Sequence, residues 1–170
     1  KVSCRSEKCL NKMSDFQATV KWSRDGQDFL ANKYSRAHSW HFDGGTVIDA
    51  SASPDIVPLP WSAAENVDPE EAFVASLSSC HMLFFLAIAA GKNLQLESYV
   101  DNATGSMATN SENKMAITEV ILRPVTEFSG SVLPTEEEIA KLHHLAHEQC
   151  FIANSVKTHV KIELDAVPAV

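Results

Sequence analysis

Apolar positions along the chain change their spacing several times, and each change predicts an element. Phe16-Gln17-Ala18-Thr19-Val20-Lys21-Trp22 alternates and predicts a first strand. Ala37 to Phe42 and Thr46-Val47-Ile48 flank Asp43-Gly44-Gly45 and predict a hairpin. Pro54, Pro58 and Pro60 break up the connector from Ser51 to Ser62. The spacing then becomes helical. Asp68 is placed to cap, Pro69 suits a first helical position, and Glu71 falls where a capping-box carboxylate returns. Gly91 ends a helix of roughly 22 residues. Phe73, Leu77, Cys80, Phe84 and Ile88 form its stripe, widened by Leu83 and Leu86, so it is expected to be central and covered on several sides.

Leu94 to Thr109 and Met115 to Phe128 then read as two long strands joined at Asn110-Ser111-Glu112-Asn113. Thr135 and Glu138 open a second helix that runs to about Cys150. Val156, Thr158, Val160 and Ile162 alternate as a last strand. The order βββ–α–ββ–α–β predicts an α+β protein with antiparallel strands.

At 170 residues, one domain is expected over residues 13–170, behind a polar, basic tail at residues 1–12. The tail's basic, Ser-containing character is also compatible with a trimmed transit peptide. A net charge of −8 argues against nucleic acid or an anionic membrane as partner. No run reaches the ~18 consecutive apolar residues of a membrane span. Without an apolar leader ahead of Cys4, Cys9, Cys80 and Cys150, a reducing cytoplasmic setting is expected, where cysteines are catalytic, metal-binding or inert.

Cys80 opens the most apolar run of the chain, Cys80 to Ala90, and the ordinary reading of such a thiol is a small core residue. To react it must ionise, and burial among Phe and Leu opposes that unless a cation is brought from elsewhere. His81 does not supply it, because adjacent residues on a helix diverge by ~100°. Cys150 sits at a helix C-terminus, where the dipole disfavours a thiolate. As a pair, Cys80 is therefore cast as attacker and Cys150 as the thiol that resolves its product. A rival reading uses His143, His147 and Cys150, spaced by four and three on one helix face, as ligands for zinc or copper. The plainer alternative has these histidines facing solvent.

Val67-Asp68-Pro69-Glu70-Glu71 leading to Ser78-Ser79-Cys80-His81 resembles the central helix of the OsmC/Ohr family, the osmotically inducible and organic hydroperoxide resistance proteins. Glu70 stands ten residues before Cys80, as that family's glutamate does. Cys150-Phe151-Ile152-Ala153-Asn154-Ser155 is similar to its second cysteine segment, and Tyr34-Ser35-Arg36-Ala37-His38 to its arginine segment in OsmC-like members. Phe151 departs from the proline many relatives carry.

The resemblance spans Phe16 to Leu164 and implies an OsmC-like fold: antiparallel sheets around a long buried central helix in an intertwined homodimer. It implies a thiol peroxidase, without cofactor or metal, that reduces organic hydroperoxides to alcohols. In it, Arg36 stabilises the Cys80 thiolate, Glu70 orients Arg36, and Cys80 passes through a sulfenic acid to a disulfide with Cys150. A dithiol reductant, of the kind carried as dihydrolipoyl groups on lipoylated proteins, restores the thiols. Ten helical residues span about 15 Å, so one Arg cannot reach both Glu70 and Cys80 of a straight helix. A dimer in which one chain's Arg36 and Glu70 cover the other's Cys80 resolves this. Phe73, Leu77, Phe84 and Phe85 are candidates to line a pocket for bulky hydroperoxides. Beside the metal reading, a non-catalytic, ligand-binding member of the same fold is the other alternative.

Overall fold

The computed structural model describes residues 14–164. The expected tail at residues 1–12, with Cys4 and Cys9, lies outside them. The chain divides between Asp68 and Pro69 into two compact units.

The first unit carries a three-stranded antiparallel sheet of β1 (Ala18–Lys21), β2 (His38–Phe42) and β3 (Val47–Ala50), in that order. The predicted hairpin is present, with Gly45 at φ +87°, a conformation that glycine adopts without steric cost. Within these strands only Ala50 is fully buried. An aromatic group forms beside them, with the rings of Phe29 and Tyr34 4.7 Å apart and both packed on Trp22.

The second unit opens with α1 (Pro69–Gly91), as the cap signals predict. After it come β4 (Gln95–Asp101), β5 (Thr104–Thr109), β6 (Met115–Leu122), β7 (Pro124–Ser129), α2 (Glu136–Gln149) and β8 (His159–Ile162). The two long strands expected from the pattern are therefore four. Asp101 explains both breaks. Its carboxylate accepts the Arg123 backbone N–H at 2.6 Å and the Ser78 hydroxyl at 2.5 Å, which ties the β4–β5 corner to the β6–β7 corner and to α1. The partition also changes the sheets. β4 pairs antiparallel with β7, and β5 antiparallel with β6. β8 lies parallel to β6, because the chain crosses over through β7 and α2 before returning. The expectation of antiparallel strands holds for every ladder except this last one.

α2 begins as predicted. The Thr135 hydroxyl accepts the Glu138 N–H, and the Glu138 carboxylate accepts the Thr135 N–H at 2.8 Å. Two clusters make the core. Leu77 packs with Val120 and Leu122 of the β5–β6–β8 sheet. Phe85 and Ala89 pack with Leu142 and Ala146 of α2 over the β4–β7 sheet. Each large side chain so buried contributes about 1.5–3 kcal/mol.

The buried stripe of α1 is Leu77, His81, Phe85 and Ala89. Of the predicted stripe, Leu77 lies on this line, while Phe73, Cys80, Phe84 and Ile88 lie beside it on a half-buried flank. The reason is that the helix is apolar nearly all round, so composition cannot tell which side meets the sheets. Nor is the whole circumference covered: Leu83 remains 61% and Leu86 36% exposed. α1 is also long and apolar enough to cross a bilayer by length and composition, although here it packs against α2, β4, β5 and β6.

Candidate active site

Cys80 and Cys150 are both free thiols, and they are neighbours. Cys80 is half-buried on the flank of α1, reached by the spacing that puts Leu77 and His81 in the core instead. Cys150 is the C-cap of α2 and is 1% exposed. Burial pushes its thiol up to about 11; the neighbouring Cys80 adds to the rise, and backbone N–H groups of Ala153 and Ile152 oppose it. The Ala153 N–H reaches the Cys150 sulfur at 3.4 Å from the short 3₁₀ turn Ala153–Ser155. Desolvation, rather than the helix dipole named from the sequence, is thus the main influence that disfavours a thiolate at Cys150.

Phe151 follows Cys150, and its ring stands edge-on to Phe84 with centroids 4.9 Å apart. Of the four pocket candidates, Leu77 and Phe85 are core residues, while Phe84 is only partly buried and faces this margin.

His81 turns away from Cys80, as its helix position predicts. It is buried against α2, where its Nε2 lies 3.0 Å from His143 Nδ1, with the two rings 3° from parallel. His143 is also buried and stacks on Phe85 at 4.2 Å. Burial depresses both imidazoles, His81 to about 4 and His143 to about 3, so both are neutral at pH 7. This pair corrects two sequence expectations. His143 does not face solvent, and its Nδ1 is engaged by His81. Among the described residues no three His, Cys, Asp or Glu side chains are arranged to hold a metal ion. The spacing of the pair had a signal: His81 falls four residues from both Leu77 and Phe85, inside an apolar stripe.

Arg36 belongs to the first unit. Its guanidinium donates to Asn32 Oδ1 at 2.6 Å and to the Tyr34 carbonyl, and lies 3.8 Å over the Tyr34 ring. Its backbone N–H is held by the Trp61 carbonyl at 2.8 Å. Next to it, His38 Nδ1 meets the Arg36 carbonyl at 2.7 Å while His38 Nε2 accepts from the Trp40 indole at 2.9 Å. Only the neutral tautomer with its proton on Nδ1 satisfies both. Glu70 stands in the first turn of α1, in the second unit. Cys80 and Cys150 are therefore brought together within one unit, and Arg36 and Glu70 are held in different ones.

A family model described as OsmC-like protein matches residues 62–165. Among solved structures, the chain is 57% identical to an OsmC-like protein of unknown function from Vibrio cholerae, with a TM-score of 0.88, over 89% of this chain and 99% of that one. It is 18% identical to an organic hydroperoxide resistance protein from Legionella pneumophila, with a TM-score of 0.63, over 91% of this chain and 97% of that one. It is 20% identical to the organic hydroperoxide resistance protein OhrB of Bacillus subtilis, with a TM-score of 0.61, over 89% and 98%. A search of curated proteins returns no match. A model match over more than half of the chain and a relative 57% identical over nearly its whole length carry one conclusion: the chain belongs to the family of OsmC-like proteins, within the OsmC/Ohr group.

Proposed function

We propose that this protein is a cysteine-based peroxidase that reduces organic hydroperoxides to alcohols. The observation that carries the reading is the pair of free, neighbouring thiols on α1 and α2, one half-buried and accessible, the other buried and held protonated. Family membership supports it, since two of the similar structures are organic hydroperoxide resistance proteins.

In this reading the Cys80 thiolate attacks the terminal peroxide oxygen. The O–O bond breaks, the alkoxide takes a proton and leaves as alcohol, and Cys80 becomes a sulfenic acid. The Cys150 sulfur then attacks the Cys80 sulfur. Its proton leaves with the departing hydroxyl as water, and a disulfide forms. A dithiol of the dihydrolipoyl class takes that disulfide's place in oxidised form and returns both thiols. Arg36 binds the peroxide and stabilises the thiolate, and Glu70 orients the guanidinium. Because Glu70 and Cys80 lie ten residues apart on one helix, about 15 Å, the arginine arm of one copy covers the thiol of a second in a homodimer. The exposed Leu83 and Leu86 of α1 are the kind of surface such a partner would cover. The cytoplasm, where free thiols persist, is the setting we assign.

The test is thiol titration before and after one equivalent of cumene hydroperoxide. Wild type should lose two thiols, and Cys150→Ser should stop at a sulfenic acid that dimedone traps. Cys80→Ser should not react; equal consumption of peroxide by that variant would sink the assignment.

A further inference from the structure

The seam between α1 and α2 brings together one pair of sulfurs and one pair of imidazoles. Cys80 and His81 are consecutive on α1. On α2, His143 and Cys150 are seven residues apart, two turns, and so share a face. The imidazoles form a hydrogen bond of 3.0 Å, with planes 3° from parallel, and both side chains are 1% exposed. Beyond that bond, His81 Nδ1 and His143 Nε2 are buried without a hydrogen-bond partner. Each ring therefore accepts desolvation for a single directed contact.

Apolar packing alone tolerates sliding, since one Leu or Phe neighbour serves much like the next. A hydrogen bond tolerates only a few tenths of an ångström before it weakens. The thiols need that precision. A disulfide requires Cβ atoms about 3.5–4.5 Å apart, whereas a slip of α2 by one turn moves Cys150 by about 5.4 Å.

We propose that the His81–His143 bond is a positioning device that fixes the register of α1 and α2 so that Cys80 and Cys150 meet at disulfide-forming separation. The proposal rests on the reading that these two cysteines pair. One nitrogen must donate and the other accept, so at least one ring must be neutral, and burial keeps both so. A charged ring at each position would set two N–H groups against each other.

The test equilibrates the full chain with reduced and oxidised glutathione. Two electrons pass from Cys80 and Cys150 to glutathione disulfide, giving the intramolecular disulfide and two reduced glutathiones, and the equilibrium constant reports how well the thiols are placed. His143→Leu, His81→Met and the double replacement remove the bond and keep the volume. His143→Asn and His81→Gln put an amide where Nδ1 and Nε2 stand. Apolar variants should lower the constant about tenfold, the double no more than either single, as for residues acting through one shared contact. The amide variants should stay within roughly threefold of wild type.

A merely structural role would lower the melting temperature and leave the constant unchanged; that result overturns the proposal. So would amide variants as impaired as the apolar ones. If a single variant fails to fold around its lone buried imidazole, the double replacement carries the comparison. Wild type that forms the disulfide in glutathione but ignores cumene hydroperoxide would refute the peroxidase reading alone. Wild type that forms no disulfide would refute the positioning role.

Discussion

The ring of Phe151 stands at 88° to that of Phe84, so the residue after the second cysteine closes against the residue one turn beyond the first. Phe84 is half-buried, yet Phe151 remains 72% exposed. An aromatic pair, one ring packed on the core and the other largely exposed, therefore joins the segments that carry the two thiols.

Phe151→Ala should then change selectivity more than stability. The ratio of kcat/KM for cumene hydroperoxide over hydrogen peroxide should fall about tenfold, the range an apolar contact supplies in a substrate pocket. Loss of the ring pair should cost about 1 kcal/mol in denaturant unfolding. An unchanged ratio would remove Phe151 from the site.

Alkylation should separate the two cysteines. With iodoacetamide at pH 8, peptide mass mapping should find Cys80 modified first, since Cys150 is buried and its thiol is pushed up to about 11. The slow labelling of Cys150 should keep rising with pH toward that value, about tenfold per unit, as its thiolate fraction grows.

Acid should weaken the fold through the imidazole pair before it does so through the carboxylates. His81 and His143 have native values depressed to about 4 and about 3, below the 6.5 of an unfolded histidine. Between those values the unfolded chain binds more protons, so stability is complete above pH 6.5 and falls as the pH drops toward 4. At its steepest each histidine contributes about 1.4 kcal/mol per pH unit. The neighbours that bear on the pair are His147, whose charge lowers His81 further, and Tyr99, whose buried hydroxyl is shifted upward and stays neutral. Glu97, Glu112, Glu119 and Glu138 are held below 4.5 and lose their partners only at lower pH. Melting temperatures at pH 7 and pH 5 should therefore differ in wild type and converge in the His81→Met, His143→Leu double variant.

Asp101→Ala should cost about 1.5–3 kcal/mol, the range for hydrogen bonds to a charged group. It frees the Arg123 N–H and the Ser78 hydroxyl together. Urea unfolding would measure the loss; a change below about 0.5 kcal/mol, the range of an ordinary surface substitution, would show that the two corners hold without it.

These residues also mark how far the sequence could be read. Thr135 and Glu138 were legible as a cap because a capping box is a local exchange of hydrogen bonds across three residues. The cysteines were legible through the family resemblance and their places on two well-marked helices, one within α1 and one at the end of α2. The division of the two long strands was not, since Asp101 acts on Ser78 and Arg123, each more than twenty residues away. The parallel entry of β8 depends on that division and was hidden with it. The place of His81 was half visible: the helix angle said it faces away from Cys80, but the partner it faces is 62 residues later.

The core line of α1 runs through His81, and the sulfur sits one position behind it. On a helix that single step is a rotation of ~100°, enough to leave one side chain sealed and its neighbour on the shoreline. A sulfur at the sealed position would be walled off from any oxidant. An imidazole at the shoreline would be free to change its charge with every change in the medium. Deleting one residue between Leu77 and Cys80 would rotate these two addresses, so the order of two adjacent letters governs both what can be oxidised and what stays neutral.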